Sequence, residues 1–147
     1  MKSDTDNYLK YWRVIREFVK VKYNLTQADL DMLLFLYSEK YFGQDRFNEY
    51  DLLLQWSTDR FHRLKKDGWI EKFRNQVAGR KALYRLTTKS TRMIQSVYRK
   101  LNGERIPVSK SQNKIFHKNI SYTHKVYKDM IIEMNEAIKQ RRRDVPE

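Results

Sequence analysis

Between residues 58 and 81 the side chains able to do chemistry are nearly all of one kind. Thr58, Arg60, His62, Arg63, Lys65 and Lys66 crowd one short stretch, and Arg74, Arg80 and Lys81 follow it. Guanidinium, ammonium, imidazole and hydroxyl groups in such a run are hydrogen-bond donors looking for an anion. A phosphate backbone takes the lysines, a guanine edge takes an arginine in bidentate fashion, and a threonine reaches either. The stretch 58–81 holds eight Lys/Arg against three acids. Residues 89–118 hold eight more against Glu104 alone, while the acids collect in 29–51. Across 147 residues the net charge is +13, which favours polyanions and steered association. A charge run on a helix is usually a solvated face. Here it precedes a basic hairpin, and that pairing points to a surface facing a groove.

Other chemistries lack their residues. There is no cysteine, so disulfides, thiolate nucleophiles and Cys-based zinc sites are excluded. His62, His117 and His124 are scattered, so no metal is expected. Carboxylate pairs such as Asp4/Asp6 and Asp29/Asp31 fall at capping or exposed positions. No glycine-rich phosphate loop and no nucleophile-base pattern is present. The chain reads as a binding protein without a cofactor and not as an enzyme. No pattern names a small-molecule effector.

The elements that must position the basic residues follow from periodicity. Tyr8, Tyr11, Trp12, Ile15, Phe18 and Val19 recur at three-four spacing and predict a helix over 6–22. Thr26 caps a second helix, with Asp29 answering it as in a capping box and Leu30, Leu33, Leu34 and Tyr37 inward. A third helix is predicted over 47–55 with Phe47, Tyr50 and Leu53 or Leu54 inward. Ser57 then caps a fourth, running to about Asp67, whose apolar contacts are Phe61 and Leu64. Gly68 stops it. The period next changes to two, and 69–74 with 81–87 form a hairpin around a turn at 75–80. A fifth helix covers 89–102, a connector 103–118, and a last helix 119–142. Tyr127, Ile131, Met134 and Ile138 on that helix are spaced four, three and four, like a coiled-coil seam.

This order defines a mainly α fold with a small β-hairpin wing: a winged helix-turn-helix. The segment Leu64-Lys65-Lys66-Asp67-Gly68-Trp69-Ile70, the hairpin, and Leu86-Thr87-Thr88-Lys89-Ser90 read as a recognition helix packed against a wing. Such a helix fits the major groove, and the wing reaches a neighbouring groove or the phosphates. With Leu25-Thr26 before the second helix and a wing ending Arg80 to Thr87, the chain resembles the MarR family over residues 8–140. The resemblance implies a homodimer built from the N- and C-terminal helices, with one recognition helix per major groove. The family's acid-arginine pair at the wing tip is Ala78-Gly79 here. Affinity and a mild A·T preference, not sharp discrimination, are therefore expected from the wing.

The expected organisation is a dimerisation helix (1–24), a winged-helix core (25–102), a basic connector (103–118) and a second dimerisation helix with a charged, frayed tail (119–147). Trp12, Ile15, Tyr127, Ile131, Met134 and Ile138 are expected at the dimer interface. Thr58, Arg60, His62 and Arg63 are expected in the groove, and Lys65, Lys66, Arg74, Arg80 and Lys81 at phosphates or in the wing contact. The partner would be double-stranded DNA and the role that of a transcriptional regulator of bacterial or phage type. No apolar run approaches the roughly 18 residues of a membrane span, and no signal peptide is evident, so a cytoplasmic location is expected. Two alternatives stay open: a basic architectural or virion-associated protein with little sequence preference, and a winged helix that docks onto a protein.

Overall fold

The structure, a computed structural model, describes residues 8–117 and 121–144, with side chains from 10 to 117 and 121 to 140. Expectations for the side chain of Tyr8, for Ile120 and for the tail after residue 144 lie outside the described residues. The helices are α1 (Tyr8–Tyr23), α2 (Gln27–Leu36), α3 (Gln44–Asp51), α4 (Arg60–Lys66), α5 (Thr88–Leu101) and α6 (Tyr122–Asp144). A hairpin of β1 (Ile70–Arg74) and β2 (Leu83–Leu86) lies between α4 and α5. The chain divides into two compact units, residues 25–95 and residues 1–24 with 96–147, and α5 runs from one into the other.

In the unit of residues 25–95 the helix starts follow side-chain chemistry. The Thr26 hydroxyl accepts from the Asp29 amide at 3.1 Å and caps α2. Leu30, Met32, Leu33 and Leu36 are buried, while Tyr37 ends the helix at the surface. Phe61 makes edge contacts with Phe47 and Tyr84, at ring separations of 5.0 and 4.9 Å. It thereby ties α4 to α3 and to the hairpin. Strand register pairs Ile70 with Leu86, Glu71 with Arg85 and Lys72 with Tyr84, then slips by one residue at Phe73. A backbone bridge between Phe42 and Tyr84 adds a short third member to the sheet. At Gly68 φ is +82°, a conformation that glycine adopts without strain, and the chain leaves α4 there. Thr87 closes the wing. Its hydroxyl donates to the Gly68 carbonyl at 2.7 Å and accepts from the Ser90 amide at 3.3 Å, which opens α5.

The joint between α3 and α4 departs from the expected layout. The third helix spans Gln44–Asp51, earlier than the predicted 47–55. Leu52 and Leu53 stand in solvent, so neither Leu53 nor its neighbour Leu54 extends a buried helical face. Ser57 does not cap α4. Its hydroxyl bonds to the Asp59 carboxylate, and its amide donates to Asp51 Oδ2 at 3.2 Å. The helix begins only at Arg60. The reason is tertiary: Asp51 and Arg60 bracket the turn and hold it in a shape that local propensity does not specify.

The other unit has a core of its own. Val14, Ile15, Phe18 and Val19 of α1, Ile131, Met134 and Ile138 of α6, and Ile106 and Ile115 of the 103–117 stretch are all buried. Ile15, Ile131, Met134 and Ile138 are used inside the protomer, because the α1 and α6 faces that carry them pack on each other. Tyr127 is half-buried, with its hydroxyl accepting from Arg13 Nε at 3.3 Å. Trp12 is half-buried under Arg16. The expected connector is also a folded element. Asn135 clamps the backbone of Ile106, accepting from its amide at 3.0 Å and donating to its carbonyl at 2.9 Å. Asn113 is buried and caps a short 3-10 turn at Lys114–Phe116. Among the described residues no helix is long and apolar enough to cross a membrane.

Candidate nucleic-acid interface

The most basic helix, α4, owes its position to charge on its inner side. Arg60 is 5% exposed. Its Nη1 bonds to Asp51, its Nε donates to Asp29 Oδ1 at 3.2 Å, and its Nη groups reach the carbonyls of Leu54 and Gln55 at 3.1 and 3.4 Å. Arg63 grips the same Asp29 with both terminal nitrogens, at 2.6 and 3.0 Å, and keeps about a third of its side chain exposed. Two arginines and two buried carboxylates make a neutral cluster. Buried charge persists only when paired in this way. Burial alone would push the Asp29 carboxyl up. Hydrogen bonds from Arg63, Thr26 and Arg60 and the Arg63 charge outweigh that and leave it below its ordinary range.

The cluster sorts the predicted site residues. Arg60 is not a groove contact: its guanidinium is enclosed and its donors are used. Its assignment rested on charge alone, and the structure places it as the anchor of α4. Asp29 belongs to this cluster and does not complete a capping box. Arg63 sits at the border, with part of its charge offset. Thr58, His62 and Lys66 are exposed. Lys65 is half-buried, its ammonium over the rings of Phe61 and Tyr84 at 4.9 and 5.3 Å. Such stacking holds the charge near the helix and leaves donors outward.

The hairpin presents its cations differently. Its tip is a four-residue turn, Val77 to Arg80, closed by two backbone hydrogen bonds of 3.1 and 2.8 Å. Gly79 takes φ +77°, as a type II turn requires at its third residue. Arg80 and Lys72 are exposed, and no ion pair involves either side chain among the described residues. The Lys81 side chain is four-fifths exposed and lies 3.5 Å from an exposed carboxylate, Asp45, so salt and solvent screen that pair. Arg74 is an exception. It folds back to donate to the Lys81 carbonyl at 3.0 Å, which makes it a brace of the wing.

Sequence reasoning missed three features. Lys89 lies 4.0 Å above the Trp69 ring and donates to the Asp67 carbonyl at 3.0 Å, beside the end of α4. Asp29 and Asp51 act as counterions. Leu52, Leu53 and Trp56 form an exposed apolar group before α4. The last had a readable signal: four large apolar residues in five, Leu52 to Leu54 and Trp56.

No family model and no curated protein matches this chain. Two solved structures are similar to it. One is AbfR of Staphylococcus epidermidis, 15% identical, with a TM-score of 0.43 over 86% of this chain and 79% of that one. The other is disulfide-formed AbfR, 17% identical, with a TM-score of 0.47 over 92% and 85%. The winged-helix assignment itself rests on the element order, the strand register and the helix-wing joint described above.

Proposed function

We propose that the chain is a double-stranded-DNA-binding transcriptional regulator of the MarR type, acting as a homodimer and not as an enzyme. The observation that carries this reading is the pairing of α4 with a solvent-facing basic wing, Lys72, Arg80 and Lys81, across a joint locked by Gly68 and Thr87. Thr58 and His62 are the base-edge readers, with Arg63 in partial reach. Lys65, Lys66, Lys72, Arg80 and Lys81 neutralise phosphates. The dimer uses apolar groups that the protomer leaves outside, such as Val126, Ile132 and Tyr122 of α6. Selection of bound sequences from a random DNA pool at controlled salt tests the reading. A discrete, near-palindromic site is the expected result. Absence of any salt-dependent DNA binding overturns it and favours a protein-docking role.

One observation favours the architectural alternative. With Arg60 enclosed and Arg63 held by Asp29, α4 has few long donors left to read bases. Protection of all DNA alike in the same experiment would select that reading.

A further inference from the structure

Arg63 keeps one edge of its guanidinium free. Its two terminal nitrogens grip Asp29 end-on, Nη1 donating to Oδ2 at 2.6 Å and Nη2 to Oδ1 at 3.0 Å. That grip uses one N–H of each nitrogen, and a guanidinium has five. The Nε–H and the outer N–H beside it remain, side by side. Among the described residues Arg74 Nε is the one buried side-chain donor without a partner. No hydrogen bond takes Arg63 Nε either, so this atom reaches solvent. The Arg63 side chain is 37% exposed, against 1% for Asp29.

The group that holds Arg63 is itself fixed. Asp29 accepts from the buried Arg60 Nε at 3.2 Å, and its amide donates to the Thr26 hydroxyl at 3.1 Å. An arginine locked in this way gives up little side-chain freedom when it meets a ligand.

Charge selects what the free edge accepts. Asp29 offsets the Arg63 charge, and Asp59 and Asp67 act on the same guanidinium. A phosphate or carboxylate arriving there would face three carboxylates. A neutral group with two adjacent acceptors escapes most of that repulsion. In the major groove one base edge is built so: guanine, with N7 and O6 side by side. Adenine sets a donor beside its N7, and neither pyrimidine offers a pair of acceptors.

We propose that Arg63 reads the N7 and O6 edge of a guanine with its Nε side, and that Asp29 is the positioning residue that aims it. This rests on the double-stranded-DNA reading above. It makes Arg63 a source of sequence preference with little salt dependence, while the exposed lysines supply salt-dependent affinity.

The test uses the duplex selected from the random pool, with 7-deazaguanine replacing one guanine at a time. The replacement deletes N7 as an acceptor and keeps base pairing. Wild type should lose about fivefold in affinity at one guanine per half-site, the value of one hydrogen bond. Arg63→Lys keeps a cation beside Asp29 but lacks the fork. It should bind both duplexes alike, with the wild-type salt slope and urea midpoint. If wild type binds the duplex and no guanine responds, or if the pool yields no preferred sequence, Arg63 reads no guanine and the inference falls while DNA binding stands. If the response persists in Arg63→Lys, another residue reads that base and the inference is overturned. If wild type shows no salt-dependent binding to any duplex, the DNA reading falls and takes this one with it.

Discussion

On α4, Arg60 is closed in by Asp29 and Asp51, and Arg63 leans on the same Asp29. On the hairpin, Arg80 stands in solvent and Lys81 has only a distant, exposed partner. The two regions are similarly basic in sequence, yet they spend charge in opposite ways. The helix uses arginine to fix its own place in the fold, and the wing leaves its cations in solvent. Charge counted along a chain is therefore not charge available at a surface. A basic helix can be positioned by the very residues that look most like its readers.

The largest effect should come from breaking the helix side of this contrast. Arg60→Ala leaves Asp51 buried without its cation, and removal of one partner of a buried pair costs about 3–5 kcal/mol. Urea unfolding should show a loss of that size, and a loss below about 1 kcal/mol would mean that the cluster does not anchor α4. Acid attacks the same cluster more gently. The Asp29 carboxyl is held below its ordinary value of 3.8. Its stabilising effect is therefore full above that value and is lost as pH falls through the lower, folded one. Thermal melts should be insensitive to this group from pH 7 to 5 and should drop only in stronger acid. Loss of this contribution already at pH 5 to 6 would contradict the pairing.

Changes on the wing should leave stability within about 0.5 kcal/mol and act on DNA alone. Converting Arg80 and Lys81 together to alanine should lower the log-log salt slope of binding by about 2 per protomer. Lys66→Ala should lower it by about 1. Arg63→Ala should change it least, since Asp29 already serves as its counterion. Filter binding across a salt series would rank the three. An Arg63 effect as large as that of Lys66 would show that DNA pulls Arg63 away from Asp29 and would erase the distinction between helix and wing.

Local signals made much of the fold legible. The three-four spacing of Ile15, Phe18 and Val19, the Thr26 cap, the glycine stop at residue 68 and the change to period two across the hairpin all appear as expected. Each depends on contacts within a few residues, where residue type and spacing determine the geometry. The seam at Ile131, Met134 and Ile138 was legible as an apolar face but not as to what covers it. A seam that meets α1 within the protomer and one that meets a partner have the same spacing. Ser57 resembles a cap in sequence, but its hydroxyl bonds to the Asp59 carboxylate and the helix starts only at Arg60.

By itself the sequence determined the winged-helix order, the basic character of α4 and the hairpin, and the absence of cysteine chemistry. Only the tertiary structure decided which cations face outward. Asp29 and Arg60 lie 31 positions apart, and no local periodicity links them. Their pairing exists because folding removes both from water into an interior where an unpaired charge is too costly to keep. The same burial turns a predicted base reader into an anchor, while Leu52, Leu53 and Trp56 in the preceding turn stay exposed.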